Sequence, residues 1–256
     1  MTPSSYTLSR RDFLRAGLSA TVLPTAFACK ESAGPPVPPE LTARPGAPTA
    51  FPVLATLTSL SLGGARDGFY YVPASYDPDV GLPLMVPLHG AGGEATNWTN
   101  WITRAEAQGF AMLVPDSRGQ TWDAVRSTYG PDVTFLNNAL EYFFALCRVQ
   151  PNRIAFAGFS DGASYALSLG VPNGDLFRHI LAFSPGYYDR GAPPQGLPQV
   201  FVSHGNSDGV LSFAITEDEI VPSLRDDGLN VTFRPFAGGH TVPAVVAEEA
   251  LGWWLG

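Results

Sequence analysis

Residues 158–162 read Gly158-Phe159-Ser160-Asp161-Gly162. A serine hydroxyl attacks a carbonyl carbon only when a histidine takes its proton and a carboxylate orients and stabilises that histidine. The five letters are weak alone, because a Gly-rich chain of this length supplies about 0.2 matches to G-x-S-x-G by chance. Their setting is stronger. An apolar run, Arg153 to Ala157, leads into the serine, and a helix-like pattern from Ser160 to Leu169 follows it. That is the context in which a serine is lifted onto a strained strand-to-helix turn, and glycines at 158 and 162 suit close packing of strand on helix.

The partners must come from elsewhere in the chain. On a sheet carrying such a turn, the acid and then the histidine follow the serine. Of the 4 histidines, three follow Ser160. His179 precedes the strand-like Ile180 to Phe183 and so sits at the wrong end of the sheet. His204 ends its strand, but no later strand loop supplies an acid before it. His240, in Gly238-Gly239-His240 after the last strand, has the right place and order, and histidine is the residue type that general-base chemistry near neutral pH calls for. Asp208, in the loop after Gln199 to Ser203, is the expected acid. Asp189 is a weaker alternative, and Asp226 and Asp227 suit a helix end before Gly228.

A fourth loop, His89-Gly90-Ala91-Gly92-Gly93, follows an early apolar run. Bare backbone there can present N–H groups to a developing oxyanion, a role assigned to the amides of Ala91 and Asp161. The Asp161 carboxylate also suits the positive end of the helix that begins there. His89 is expected to fix the loop by hydrogen bonding, and with Gly90, Trp98 and Trp122 it is a candidate to bind substrate. Trp101 and Tyr129 complete an aromatic set near the predicted strand ends.

The elements that must carry these loops alternate. Leu54 to Leu62 and Phe69 to Val72 suggest an opening antiparallel pair. Strands are expected at 82–88, 110–114, 153–157, 179–183, 199–203 and 231–236. Helices are expected around 97–108, 132–148, 160–169, 213–227 and 242–254. This is the α/β pattern of a mostly parallel central sheet with helices on both faces, whose ligands bind beyond the carboxyl ends of the strands. Only Ser184 to Pro198 separates two of the strands, too short a stretch for a helical cap domain, so an open site is expected.

Composition narrows the class. The 256 residues, 45% hydrophobic and 15% charged, suit one sizeable core. A formal charge of -8 argues against a nucleic-acid binder, and no run of 18 or more apolar residues suggests a membrane span. The start of the chain differs. Arg10-Arg11, a modest apolar stretch from Ala16 to Phe27 and Ala26-Phe27-Ala28 read as a twin-arginine export signal over residues 1–28. Export would place the protein in the periplasm, outside the cell, or lipid-anchored at its surface. Acylation of Cys29 would make the Pro/Gly-rich residues 29–52 a membrane tether. Those residues read as an extended linker and 53–256 as the catalytic domain. With only Cys29 and Cys147, no structural disulfide is expected, and Cys147 reads as a small buried hydrophobe. No metal or organic cofactor is expected, since the histidines fall at different strand ends without metal-ligand spacing. Oligomeric state is not encoded in any of these patterns.

The stretches "LHGAGG", "PDSRGQTWD", "GFSDGASYALSLG", "HGNSDGVL" and "GGH" together resemble the α/β-hydrolase superfamily over about residues 53–254. Within it they are similar to the cap-less carboxylesterase, phospholipase and polyhydroxybutyrate-depolymerase-like group. The "HGNSDGVL" stretch departs from the commoner form with valine-proline after the acid. The resemblance implies attack by Ser160 on an ester carbonyl, an acyl-enzyme, and its hydrolysis by water activated by His240. The partner would be a small-molecule or polymeric ester. A peptidase on the same fold and a non-catalytic binding protein on a hydrolase scaffold are the competing expectations.

Overall fold

Leu82 to Leu88 is buried at every position, as a strand covered on both faces must be. The computed structural model describes residues 39–256, so the export signal expected at 1–28 lies outside the described residues. Eight strands form one sheet: β1 (Thr58–Ser59), β2 (Phe69–Tyr71), β3 (Leu82–Leu88), β4 (Ala111–Val114), β5 (Val149–Phe159), β6 (His179–Phe183), β7 (Gln199–Gly205) and β8 (Asn230–Phe236). Their spatial order is β1-β2-β4-β3-β5-β6-β7-β8. β2 runs antiparallel to β1 and β4, and the remaining pairs are parallel. The expected mostly parallel sheet is present.

Strand alternation sorts two cores. Leu84, Val86, Ile154, Phe156, Ile180 and Val202 point to one face, which α3 (Pro131–Leu146), α4 (Asp161–Gly170) and α6 (Val221–Asp226) cover. Met85, Met112, Ala155, Leu181 and Phe201 point to the other, under α1 (Ile102–Gln108) and α7 (Ala244–Leu255). No helix or strand interrupts Ser184 to Pro198, in keeping with a cap-less fold.

Three local expectations change. The strand proposed for Leu54 to Leu62 shrinks to β1, because Ala55 and Ser61 take positive φ (51° and 49°) and break the extended run. The helix expected at 213–227 is three pieces: α5 (Phe213–Ile215), a π turn (Thr216–Ile220) and α6. Pro222 lacks the N–H that a continuous helix needs. A short α2 (Asp123–Arg126) was not expected.

The linker expected at 29–52 also needs correction in its described part. Residues 39–50 are irregular but pinned. Leu41 and Ala43 are buried in the α3–α4 core, and Asn173 accepts from Leu41 N at 2.8 Å. Asn137 Oδ1 accepts from Thr42 N and Ala43 N, and Ala145 O accepts from Thr49 N and Ala50 N. Two apolar side chains among the prolines were enough to anchor the strap.

Candidate active site

Ser160 stands between β5 and α4 with φ 59° and ψ -124°, a left-handed conformation costly for a residue with a side chain. The turn is held from several directions. Ser160 N donates to Phe183 O at 2.9 Å, and Ser160 O accepts from Ala163 N and Ser164 N. The flanking glycines are steric necessities. A Cβ on Gly158 would lie 2.6 Å from Ala163 N, and one on Gly162 would lie 2.5 Å from His89 O.

His240 arrives on the loop after β8 and Asp208 on the loop after β7. Backbone bonds zip these loops together: Asn206 N donates to Phe236 O and Ser207 N to Gly238 O, both at 2.9 Å. His240 Nε2 lies 2.9 Å from Ser160 Oγ, and His240 Nδ1 lies 2.6 Å from Asp208 Oδ2. The carboxylate on Nδ1 accepts only, so Nδ1 carries the proton and Nε2 is free to accept from the serine. Asp208 Oδ1 accepts from Val210 N and Leu211 N. Burial pushes the Asp208 carboxyl up, but the bonds from His240, Leu211 N and Val210 N outweigh it and hold it below the usual carboxylate range. The serine, acid and histidine singled out from sequence are thus within hydrogen-bond reach in the required order.

The loop after β3 closes on the serine from the other side. A Cβ on Gly90 would lie 3.1 Å from Ser160 Cβ, so the bare backbone of 90–91 passes directly beside it. His89 braces this loop. Its Nδ1 donates to Gly90 O at 2.7 Å and its Nε2 accepts from Ser117 N at 3.0 Å, which requires the neutral ring. Burial lowers its pKa and favours that form. Gly92 N donates to Gln120 O, and Arg66 Nη2 donates to Gly93 O. Asp161 accepts from Thr121 Oγ1 at 2.7 Å, tying the first turn of α4 to the same neighbourhood.

A cavity of about 420 Å³ opens beside this group, walled by Gly90, Ala91, Trp98, Trp101, Phe159 and His240. Trp98 is where the sequence reading put it. Trp122 is not. It is fully buried, stacks on Tyr165, and gives its indole N–H to His89 O at 2.8 Å, so it supports the loop from behind and does not touch the cavity. Tyr129 likewise packs on Tyr165 and donates to Ser168 O. His89 borders the cavity, but its ring is spent on the loop. Sequence reasoning missed Asn97, Asn100 and Val242, which also border it. For the two asparagines, the spacing in "NWTNW" was the available sign, since residues three apart share a face of a helical turn. His179 packs edge-on against Trp253 at the opposite end of β6. Asp189 faces its own loop, accepting from Gly191 N, and Asp227 pairs with Tyr188 and Arg190. Cys147 is buried, which pushes its thiol to about 12. Among the described residues no group of three or more His, Cys, Asp or Glu is placed to hold a metal ion, and no helix is long and apolar enough to cross a membrane.

No protein-family model matches the chain. NocK of Nocardia uniformis subsp. tsuyamanensis, a protein bearing an esterase name, is 27% identical over 226 residues, covering 78% of this chain and 65% of NocK. Feruloyl esterase D of Neurospora crassa is 26% identical over 132 residues, which are 50% of this chain and 44% of that protein. The chain thus spans less than two thirds of the length of either relative. Among solved structures, the fluorophosphonate-binding serine hydrolase FphF of Staphylococcus aureus superposes with a TM-score of 0.63 at 12% identity, covering 80% of this chain and 100% of FphF. The sheet order, the antiparallel second strand and the serine on the turn after β5 are those of the α/β-hydrolase fold, and the likeness to FphF is a likeness of fold.

Proposed function

We propose that this protein is a serine hydrolase of carboxylic esters, working through an acyl-enzyme on Ser160. The observation that carries the reading is the line Ser160 Oγ, His240, Asp208, with distances of 2.9 and 2.6 Å, set on a backbone strained at the serine. Ser160 Oγ attacks the ester carbonyl carbon as its proton passes to His240 Nε2. Asp208 stabilises the imidazolium that forms and keeps the proton on Nδ1. The carbonyl electrons move onto oxygen, which the amides of Ala91 and Asp161 receive, positioned by the braced loop and the helix start. His240 then gives its proton to the alcohol oxygen, the ester C–O bond breaks, and the acyl group stays on Ser160. Water repeats the sequence in reverse and frees the acid.

The cavity supports an ester with an apolar or aromatic group. Trp98, Trp101 and Phe159 offer ring surface, while Asn97 and Asn100 offer a few polar contacts at the rim. The esterase names of the two relatives point the same way. Export is part of the reading and rests on Arg10-Arg11 and the following stretch, with Cys29 as the site of a lipid tether. The test is hydrolysis of p-nitrophenyl acetate and butyrate, with fluorophosphonate labelling, by the wild type and Ser160→Ala. Turnover and labelling should both vanish in the variant. Equal turnover in the two proteins would reject Ser160 as nucleophile, and inactivity of the wild type across an ester panel would favour a binding protein on this scaffold.

A further inference from the structure

Asp208 has a second histidine beside it. His204, fully buried at the end of β7, places Nε2 3.1 Å from Asp208 Oδ2, the oxygen that His240 Nδ1 also meets, and 3.2 Å from Leu211 O. Both neighbours of Nε2 are acceptors without a proton to give, so Nε2 must carry one. Its N–H is directed at Leu211 O, and the positive edge of the ring faces the carboxylate. The other nitrogen, Nδ1, lies 2.8 Å from Thr216 Oγ1, itself 2.9 Å from Pro185 O. Thr216 Oγ1 has one proton for two acceptors: it donates to Pro185 O when Nδ1 carries a proton, and to Nδ1 when the ring proton is on Nε2 alone.

This arrangement reaches back to the serine. Gly186 N donates to Ser164 Oγ, and that hydroxyl donates to Ser160 O. A polar path therefore runs from the start of α4 through the 185–186 loop, Thr216 and His204 to Asp208. The charged and titratable groups acting on His204 are Asp208 and His240, while Glu217, Asp218 and Glu219 on the π turn face solvent.

We infer that His204 is a positioning residue for the acid: it holds a proton-bearing nitrogen against the oxygen that serves His240 and so limits how tightly that oxygen retains the His240 proton. The inference rests on the proposed ester hydrolysis for its kinetic consequence but not for its structural one. Burial lowers the His204 pKa, in keeping with a ring that stays neutral while His240 works. A carboxylate relieved of His204 would bind the His240 imidazolium more strongly and keep the base occupied to higher pH.

Two measurements test this. Nitrogen NMR of histidine-labelled wild type between pH 6 and 8 should find one buried imidazole, missing in His204→Phe, with its proton on Nε2. The acid limb of kcat/KM in His204→Phe should move upward by roughly half a pH unit or more, and His204→Gln, which restores an N–H donor, should return it toward wild type. Thr216→Val, which removes only the hydroxyl on Nδ1, should move it the same way by less. A bare Nε2 in the neutral wild type overturns the inference. So does an unmoved or lowered limb in folded His204→Phe, or a glutamine variant as shifted as the phenylalanine one. If His204→Phe does not fold, an unmoved limb in Thr216→Val decides against it. Retained turnover in Ser160→Ala would reject the esterase reading and leave the NMR result standing.

Discussion

Gly162 is the second residue of α4, where helix propensity alone favours alanine by about 1 kcal/mol. The tertiary structure demands the opposite. A Cβ there would meet Leu88 O and lie 2.5 Å from His89 O, both at the end of β3, where ordinary contact begins at 3.4 Å. Helix and strand must therefore part by about 1.1 Å, the movement that the tighter contact with Leu88 O requires. Overpacking of this kind costs about 1–3 kcal/mol, or roughly 2–12 °C in Tm for a domain of this size. The same shift separates Ser160 from the 89–93 loop, and a displacement of about 1 Å at reacting groups can cost about 100-fold in rate. Gly252→Ala is the control. It lies on the exposed face of α7 with no atom beyond its own helix within 4 Å of the added carbon, and should gain about 0.5–1 kcal/mol. Thermal melting and p-nitrophenyl butyrate hydrolysis of both variants decide the matter. If Gly162→Ala melts at or above wild type and keeps kcat/KM within about twofold, contact between α4 and β3 does not set the geometry of the serine turn.

Two further outcomes follow from other contacts. Asp208 is held below the usual carboxylate range, so its contribution to stability is present above the unfolded value of about 3.9 and is lost as pH falls through the folded one. Denaturant titrations at about pH 5 and pH 3 should therefore show a smaller acid-induced loss for Asp208→Asn than for wild type, and equal losses would contradict the assignment. Asn173 is buried and satisfies Leu41 N, Pro39 O and Leu169 O. Its replacement by alanine should cost about 1–3 kcal/mol and speed proteolysis around Leu41–Arg44. Turnover should stay within about twofold, since the strap does not border the cavity. Unchanged proteolysis would mean that Leu41 and Ala43 hold the strap without it.

Much of the site was legible because each of its members follows an apolar run. Ser160, Asp208 and His240 could be placed at strand ends by the order of runs and turns, without knowing how far apart those ends lie. Trp122 shows where that reasoning stops. Position after a strand end said that it was near the site, but its buried indole N–H had to find an acceptor, and the nearest was His89 O, behind the loop. His204 was set aside on chain order alone, a test that concerns a base and says nothing of a neighbour to the acid. The strap was misread for a related reason: a Pro-rich composition describes the average of a segment, while Leu41 and Ala43 needed only two complementary hollows in the core.

By itself the sequence determined the alternation of strand and helix, the sheet's burial on both faces and the serine turn with its obligatory glycines. These are local matters, set by apolar periodicity and by what backbone a side chain permits. Only the tertiary structure decided that the β7 and β8 loops zip together and bring Asp208 to His240, that His204 shares the carboxylate, and which aromatic rings border the cavity. Those depend on distances between residues far apart in the chain, such as the 80 positions between Ser160 and His240, which packing sets and no local pattern records.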